Sequence, residues 1–189
     1  MDLLTTATAR RGVAGAVLGL LLLLAAPYSR AQAQGGQQEY AVKAVFLYNF
    51  CQFIEWPPRQ FASDTAPIVI GVMGANPFGS LLSETVHGET VRGRAIQLQY
   101  CRSTTEARSC HMLFISNAEL ARSPSILSAL RGTGVVTVGE SEKFLDQGGM
   151  IALRSSDNRV RLSVNLEAVR VAKVDVSSKL LRLADIYKR

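Results

Sequence analysis

Pro67-Ile-Val-Ile-Gly-Val-Met73 is the stretch that decides the fold. It is short, continuously apolar and rich in β-branched residues, a pattern typical of a strand buried on both faces of a sheet. Asn76-Pro77 follows, and an N-cap residue before a proline predicts a helix over residues 78–86. A buried strand that leads directly into a helix is the unit from which α/β sheets are built.

The alternation of strand and helix continues along the chain. Further strands are predicted at residues 95–100, 112–115 and 134–138, with helical segments between them. Residues 150–164 predict an antiparallel hairpin around the turn Ser155-Ser156-Asp157-Asn158, and residues 166–187 predict two closing helices. We therefore predict an α/β fold, a three-layer sandwich with a mainly parallel central sheet and an antiparallel C-terminal hairpin.

The N-terminal residues have the pattern of an export signal. Arg10 and Arg11 precede the apolar stretch Val13–Ala26, and Ala31-Gln32-Ala33 supplies a small-residue cleavage site. The apolar stretch is short against the roughly 20 residues that span a bilayer, so an uncleaved anchor is the weaker alternative. We expect residues 1–33 to be a signal peptide, 34–38 a flexible leader and 39–189 a single domain without stable membrane insertion.

The composition is that of a globular protein. The 189 residues are 48% hydrophobic and 19% charged, with a formal net charge of +6. The basic residues are scattered, which disfavours nucleic acid as a partner. Two histidines, and three cysteines without a Cys-x-x-Cys spacing, give no pattern typical of a zinc site or of acid–base catalysis. We predict no catalytic residue, no metal and no cofactor.

Three cysteines in an exported protein permit a disulfide. Cys101 ends one predicted strand and Cys110 begins the next, so a bridge between them would hold the connection and stabilise the fold by roughly 2.5–3 kcal/mol. We predict this pair. Bridges from Cys51 to Cys101 or to Cys110 remain alternatives, although Cys51 lies among apolar residues and is predicted to be a small buried side chain.

Residues 39–56 predict one long helix that Pro57-Pro58 ends. Glu39 and Lys43 form a favourable i, i+4 pair at its start. The helix carries more apolar surface than one core-facing stripe needs, so either the core encloses it or its surplus face contacts another protein. The candidates for partner binding are its aromatic residues Phe46, Tyr48, Phe50, Phe53 and Trp56.

A second group of residues suggests an anionic ligand. The turn from Gly71 to Gly79 loosely resembles a phosphate loop, whose backbone amides would hold an anion; a plain strand-to-helix turn is the other interpretation. Arginines of the predicted hairpin add a basic area. The candidates for anion binding are Gly74, Asn76, Gly79, Arg154 and Arg161.

Several short strings follow one another in a fixed order along the chain. They are Phe53-Ile54-Glu55-Trp56-Pro57 at the end of the first helix, Gly74-x-x-Pro77-Phe78-Gly79, Cys110-His111-x-Leu113-Phe114-Ile115-Ser116, Thr137-Val138-Gly139-Glu140, Gly148-Gly149-Met150-Ile151 and Ser177-Ser178-Lys179-Leu180-Leu181. Together they resemble the YfiR family of bacterial periplasmic proteins, over about residues 39–184.

The resemblance implies a periplasmic α/β protein, in many members a homodimer, with no enzymatic activity. It implies a repressor that binds the periplasmic sensor region of a membrane-bound diguanylate cyclase, lowers cyclic di-GMP and so affects biofilm formation. Disulfide state is implied to tune this repression, but three cysteines cannot form two intramolecular bridges. The residues alone leave a second function open, a periplasmic module that binds small anions.

Overall fold

The computed structural model describes residues 36–157 and 159–188. The predicted signal peptide, and Asn158 of the predicted hairpin turn, lie outside the described residues. Glu39–Arg189 forms one compact unit, and the fold is that of this unit. Among the described residues no helix is long and apolar enough to cross a membrane.

Seven α-helices lie in the described part of the chain. They are α1 (36–53), α2 (Leu81–Val86), α3 (Thr104–Ala107), α4 (Ser123–Leu130), α5 (Glu142–Asp146), α6 (Leu166–Ala172) and α7 (Ser178–Leu181). The strands are β1 (Ile54–Glu55), β2 (Ile68–Met73), β3 (Thr90–Val91), β4 (Arg94–Cys101), β5 (Met112–Ile115), β6 (Val136–Gly139), β7 (Ile151–Ser156), β8 (Arg159–Val164), β9 (Asp175–Val176) and β10 (Asp185–Ile186). Short 3₁₀ turns cover Pro58–Gln60 and Asn117–Glu119.

The central sheet has eight strands in the order β10-β8-β7-β6-β5-β2-β4-β3. Strands β4, β2, β5, β6 and β7 run parallel, whereas β3 and β8 are antiparallel to their neighbours β4 and β7. Strand β2 therefore lies inside the sheet, with β4 on one side and β5 on the other. The predicted parallel core and the predicted antiparallel hairpin of β7 and β8 are both confirmed.

Helices cover both faces of this sheet, and β5 shows how the sequence achieves it. Side chains alternate between the faces of a strand. Met112 and Phe114 pack in a core layer with α1, whereas Leu113 and Ile115 pack in a second layer with α4 and α5. All four residues are buried. A sheet with helices on both faces therefore requires strands that are apolar at every position.

Several predicted boundaries differ from those of the structure. Helix α1 already includes residues 36–38, which were assigned to the leader, and it ends at Phe53 because the next two residues pair with β9. Helix α2 begins only at Leu81, after a turn. The last predicted helix is the short α7 followed by β10. Strands of two residues give no periodic signal, so the sequence does not predict β1, β3, β9 and β10.

Candidate functional site

Helix α1 buries one side and exposes the other. The buried side packs into the core, and its members are Lys43, Ala44, Leu47, Phe50 and Cys51. On the opposite side Val42 is 42% exposed and Val45 is 47% exposed. The core therefore does not enclose the helix, and apolar surface remains on its outer face.

Three of the five aromatic candidates border this outer face. Phe46, Tyr48 and Phe53 are half-buried. Helical geometry places Phe46 and Phe53 on one flank of the two valines and Tyr48 on the other. We call Val42, Val45, Phe46, Tyr48 and Phe53 the α1 strip. Its polar rim includes Glu89, whose carboxylate accepts a hydrogen bond of 2.9 Å from the Tyr48 hydroxyl.

The other two aromatic candidates are core residues. Phe50 is fully buried, and Trp56 is 8% exposed with its indole N–H donating to the backbone carbonyl of His111 at 3.0 Å. Neither side chain is presented to a partner in this structure. The sequence pattern did not separate these residues from the α1 strip, because aromatic residues occur all around the helix.

The C-terminal end of α1 is held by Arg92. Its guanidinium donates to the backbone carbonyls of Gln52 (3.0 Å) and Ile54 (3.2 Å) and to the carboxylate of Glu55 (2.9 Å). The last carbonyls of a helix have no partner within the helix, so this contact supplies a cap from outside. It fixes the end of the helix next to Phe53.

A buried ion network fixes the rotation of α1. Lys43 is 2% exposed, and its ammonium lies 2.5 Å from a Glu39 oxygen and 2.7 Å from Oε1 of Glu140. The other oxygen of Glu140 accepts from the backbone N–H of Asn117 at 3.2 Å. Burial by itself raises the pKa of Glu39, but the hydrogen bonds from Lys43 and Ser155, together with the charge of Lys43, outweigh it, so this pKa is lowered.

The predicted Glu39–Lys43 pair is confirmed, but sequence reasoning missed its buried partner. Glu140 follows the buried strand β6 directly, and a charged residue at the end of a buried strand was the available signal. Because Lys43 must meet this carboxylate, α1 turns Lys43 inward. Val42 and Val45 are thereby left on the outside.

The thiols of Cys101 and Cys110 lie together in the second core layer. Their sulfur atoms are 3.5 Å apart. Gly71 on β2 makes room for them, since a Cβ there would lie 2.7 Å from the Cys110 sulfur. Cys51 lies in the other core layer, where burial raises its pKa to about 12. The structure thus brings together the predicted pair and keeps Cys51 apart from it.

The five candidates for anion binding do not form one site. Asn76 is engaged within its own turn, where its side chain accepts from the Phe78 N–H at 3.0 Å and donates to the Gly79 carbonyl at 3.1 Å. That turn, which contains Gly74, follows β2. Strand β7 with Arg154 lies three strands away, roughly 14 Å at the usual strand spacing.

Both hairpin arginines lie on one face of the β7–β8 ladder, because Arg154 is directly opposite Arg161. Arg154 already pairs with Glu142 at 3.2 Å and with Asp185 at 3.6 Å. Arg161 is exposed. The basic area is therefore partly neutralised within the protein.

His111 has a structural role. Its ring stacks on Phe61 at 4.4 Å between centroids, and Nδ1 accepts from the backbone N–H of Val69 at 3.1 Å. Burial lowers the pKa of His111, and the charge of Arg94 lowers it further. The neutral ring is thus the form that the fold holds.

The carboxyl edge of the sheet contains a cavity that the sequence prediction missed. It has a volume of ≈ 220 Å³ and lies between the ends of β2 and β4 and the start of α4. Two arginines, two hydroxyl residues and one carboxylate supply its polar groups, which belong to Arg102, Arg122, Ser103, Thr104 and Glu119. Only Gly74 of the predicted anion site lines it.

A second cavity of ≈ 530 Å³ lies between α4, α5 and α6. Its lining mixes apolar side chains such as Leu127 and Leu166 with Glu167 and Arg131. Among residues 36–157 and 159–188, no three His, Cys, Asp or Glu side chains are placed to hold a metal ion.

A mostly parallel sheet with helices on both faces, and a first helix with an apolar outer face, define a three-layer α/β protein suited to binding. The chain belongs to the YfiR/HmsC-like family, whose family model matches residues 40–185. This family is periplasmic and regulatory, in diguanylate cyclase signalling, and it is not a family of catalysts. No curated protein matches the chain.

Proposed function

We propose that the protein is a periplasmic repressor that binds the periplasmic sensor region of a membrane-bound diguanylate cyclase. In doing so it lowers the synthesis of cyclic di-GMP and disfavours biofilm formation. Membership in the YfiR/HmsC-like family supports the regulatory role. The α1 strip is the structural observation that carries the binding role.

The α1 strip has the composition of an interface rather than of ordinary surface. Aromatic residues are enriched at the centres of protein interfaces, and charged residues are depleted there. The strip combines two exposed valines with two phenylalanines and a tyrosine, and it holds no charged side chain. Its backbone is a long helix, held at its C-terminal end by Arg92, so little order has to be gained on binding.

Repression follows from a difference in affinity between two states of the cyclase. A ligand shifts a conformational equilibrium only as far as it binds one state more tightly than the other. The proposed repressor therefore binds the inactive arrangement of the sensor region more tightly. A shift from 1:99 to 99:1 needs a difference of about 5.5 kcal/mol.

Deletion of the gene tests this role directly. We expect cyclic di-GMP to rise in the deletion strain and to return to its starting level with the wild-type gene. A Val42→Asp/Val45→Asp double variant should fail to restore it, because two carboxylates would have to be desolvated at the interface. Leu183→Asp is the matched control, since Leu183 is an apolar residue that is 74% exposed outside the α1 strip.

Two outcomes would count against the proposal. Unchanged cyclic di-GMP in the deletion strain contradicts repression. Full complementation by the double variant, with repression lost instead in Leu183→Asp, contradicts the α1 strip as the binding surface. Thermal melts of both variants check that each one folds, and pull-down with the cyclase sensor region reports binding separately from signalling.

Export and cysteine pairing complete the proposal. We infer that residues 1–33 are removed as a signal peptide, so N-terminal sequencing of the exported protein should begin at Gln34. We also infer a Cys101–Cys110 bond in the oxidising periplasm, supported by the 3.5 Å between the two sulfur atoms. Light scattering of the exported protein tests for the homodimer.

A further inference from the structure

The ≈ 220 Å³ cavity lies where α/β sheets of this kind bind ligands. In open, mainly parallel sheets, ligands occupy the crevice outside the carboxyl ends of the strands at the point where the strand order reverses. Here the order reverses at β2, which has β4 on one side and β5 on the other. The cavity is lined by residues that end or follow these three strands.

The polar groups of the cavity carry one net positive charge. Arg122 pairs with Glu119 at 3.1 Å, so these two charges offset each other. Among residues 36–157 and 159–188, no carboxylate or carbonyl pairs with the guanidinium of Arg102. Glu106 is close in sequence, but its carboxylate accepts instead from the backbone N–H of Arg102 at 2.8 Å. Arg102 is the cation that remains available to an anion.

Gly74 allows the side chains of Ser116 and Glu119 to pack closely against the backbone at this cavity. Its φ is +88°, a conformation that favours glycine, and a Cβ there would lie 2.6 Å from both the Ser116 hydroxyl and Cγ of Glu119. Ser116 is 4% exposed, and its hydroxyl has no hydrogen-bond partner among the described residues. Ser116 itself does not line the cavity, so its hydroxyl is not counted among the groups that would bind a ligand.

We propose that this cavity binds a small organic anion through one carboxylate group. The planar guanidinium of Arg102 matches the two oxygens of a carboxylate, and Ser103 and Thr104 add hydroxyl groups beside it. Met73 and Ile126 form the apolar wall for the carbon part of the ligand. The volume is below the roughly 300–1,000 Å³ of sites for drug-sized molecules, which restricts the ligand to few heavy atoms.

This inference goes beyond the proposed repression and does not depend on it, because binding is measured without the cyclase. The protein is purified as the cell exports it, and lactate, pyruvate and succinate are titrated into it by calorimetry. Inorganic phosphate is titrated in a separate experiment, and lactamide is titrated as the uncharged counterpart of lactate. We expect at least one carboxylate to bind and lactamide to give no heat beyond dilution.

Variants locate the binding. Arg102→Gln should weaken it at least about tenfold, because hydrogen bonds to a charged group are the strong ones. Arg122→Gln should weaken it as well, because Glu119 is then left as an uncompensated negative charge in the cavity. The matched control is Arg159→Gln, which replaces an exposed arginine on β8. This variant should bind the carboxylate as tightly as the wild type does.

Three results would overturn the proposal. The first is flat titrations for all three carboxylates at millimolar concentration. The second is equal affinity in the wild type, Arg102→Gln and Arg122→Gln, with folding of each variant checked by thermal melts. The third is binding of phosphate or lactamide with equal or greater affinity than any carboxylate.

Discussion

Replacing Lys43 by methionine tests how the buried ion network holds α1. The substitution keeps the length of the side chain and removes its charge, which leaves Glu140, only 3% exposed, without its ammonium partner. Removing one partner of a buried pair costs about 3–5 kcal/mol, because the remaining charge is buried and uncompensated. Domains of this size have about 5–15 kcal/mol of stability in total, so the loss is a large fraction of it.

Urea unfolding and thermal melts measure the effect. At about 2–4 °C per kcal/mol for chains of this length, the melting temperature should fall by about 6–20 °C. The double variant Lys43→Met/Glu140→Gln should recover a large part of the loss, because no charge is then buried alone. Lys143→Met, at an exposed lysine of α5, should change stability by less than about 0.5 kcal/mol. A loss below about 1 kcal/mol in Lys43→Met, or a double variant no more stable than the single one, would refute this account.

Three further outcomes are expected. Phe50→Ala should destabilise the fold by about 3–5 kcal/mol in urea unfolding, because it opens a cavity in the core. Non-reducing peptide mapping of the exported protein should recover a Cys101–Cys110 peptide, and reduction should cost roughly 2.5–3 kcal/mol; a Cys51 bridge would contradict this. The pKa of His111 is lower in the folded state than in the unfolded state. As the pH drops below about 6.5, the unfolded chain therefore takes up a proton that the folded protein does not, and the stability of the fold should fall. A His111→Asn variant should show a flatter dependence between pH 7 and 5.5, and an unchanged slope would contradict the assignment.

The fold was predictable because a sheet with helices on both faces requires strands that are apolar along their whole length, and this pattern is visible within one short strand. Residues 68–73 and 112–115 are apolar without alternation, and only a sheet with helices on both faces requires that. The boundaries of α1 and α2 were harder to predict from the sequence. Helix α1 ends early because Ile54 pairs with Val176, more than a hundred residues later. A local pattern cannot report such a distant partner.

The excess of apolar residues in α1 left two interpretations open, a helix enclosed by the core or a helix with an outward apolar face. The structure shows the outward face, and which residues form it depends on where Lys43 is anchored. That anchor is Glu140, 97 positions away along the chain. The same limit applies to the cavity, since Arg102 and Arg122 come together only through the order of β4, β2 and β5.

The exposed area of the α1 strip limits what each of its members can contribute to the proposed repression. Full burial of a valine stabilises by about 1.5–3 kcal/mol, and Val42 and Val45 have 42% and 47% of their surface left to bury. Each valine then supplies about 0.6–1.4 kcal/mol of binding. Even if that contact formed only with the inactive state, it would fall well short of the difference of about 5.5 kcal/mol between the two states that a near-complete switch requires. The proposed interface therefore also has to include the half-buried rings of Phe46, Tyr48 and Phe53. Truncation of one valine to alanine should weaken repression only several-fold, whereas a carboxylate at the same position, which the partner must desolvate, should abolish it.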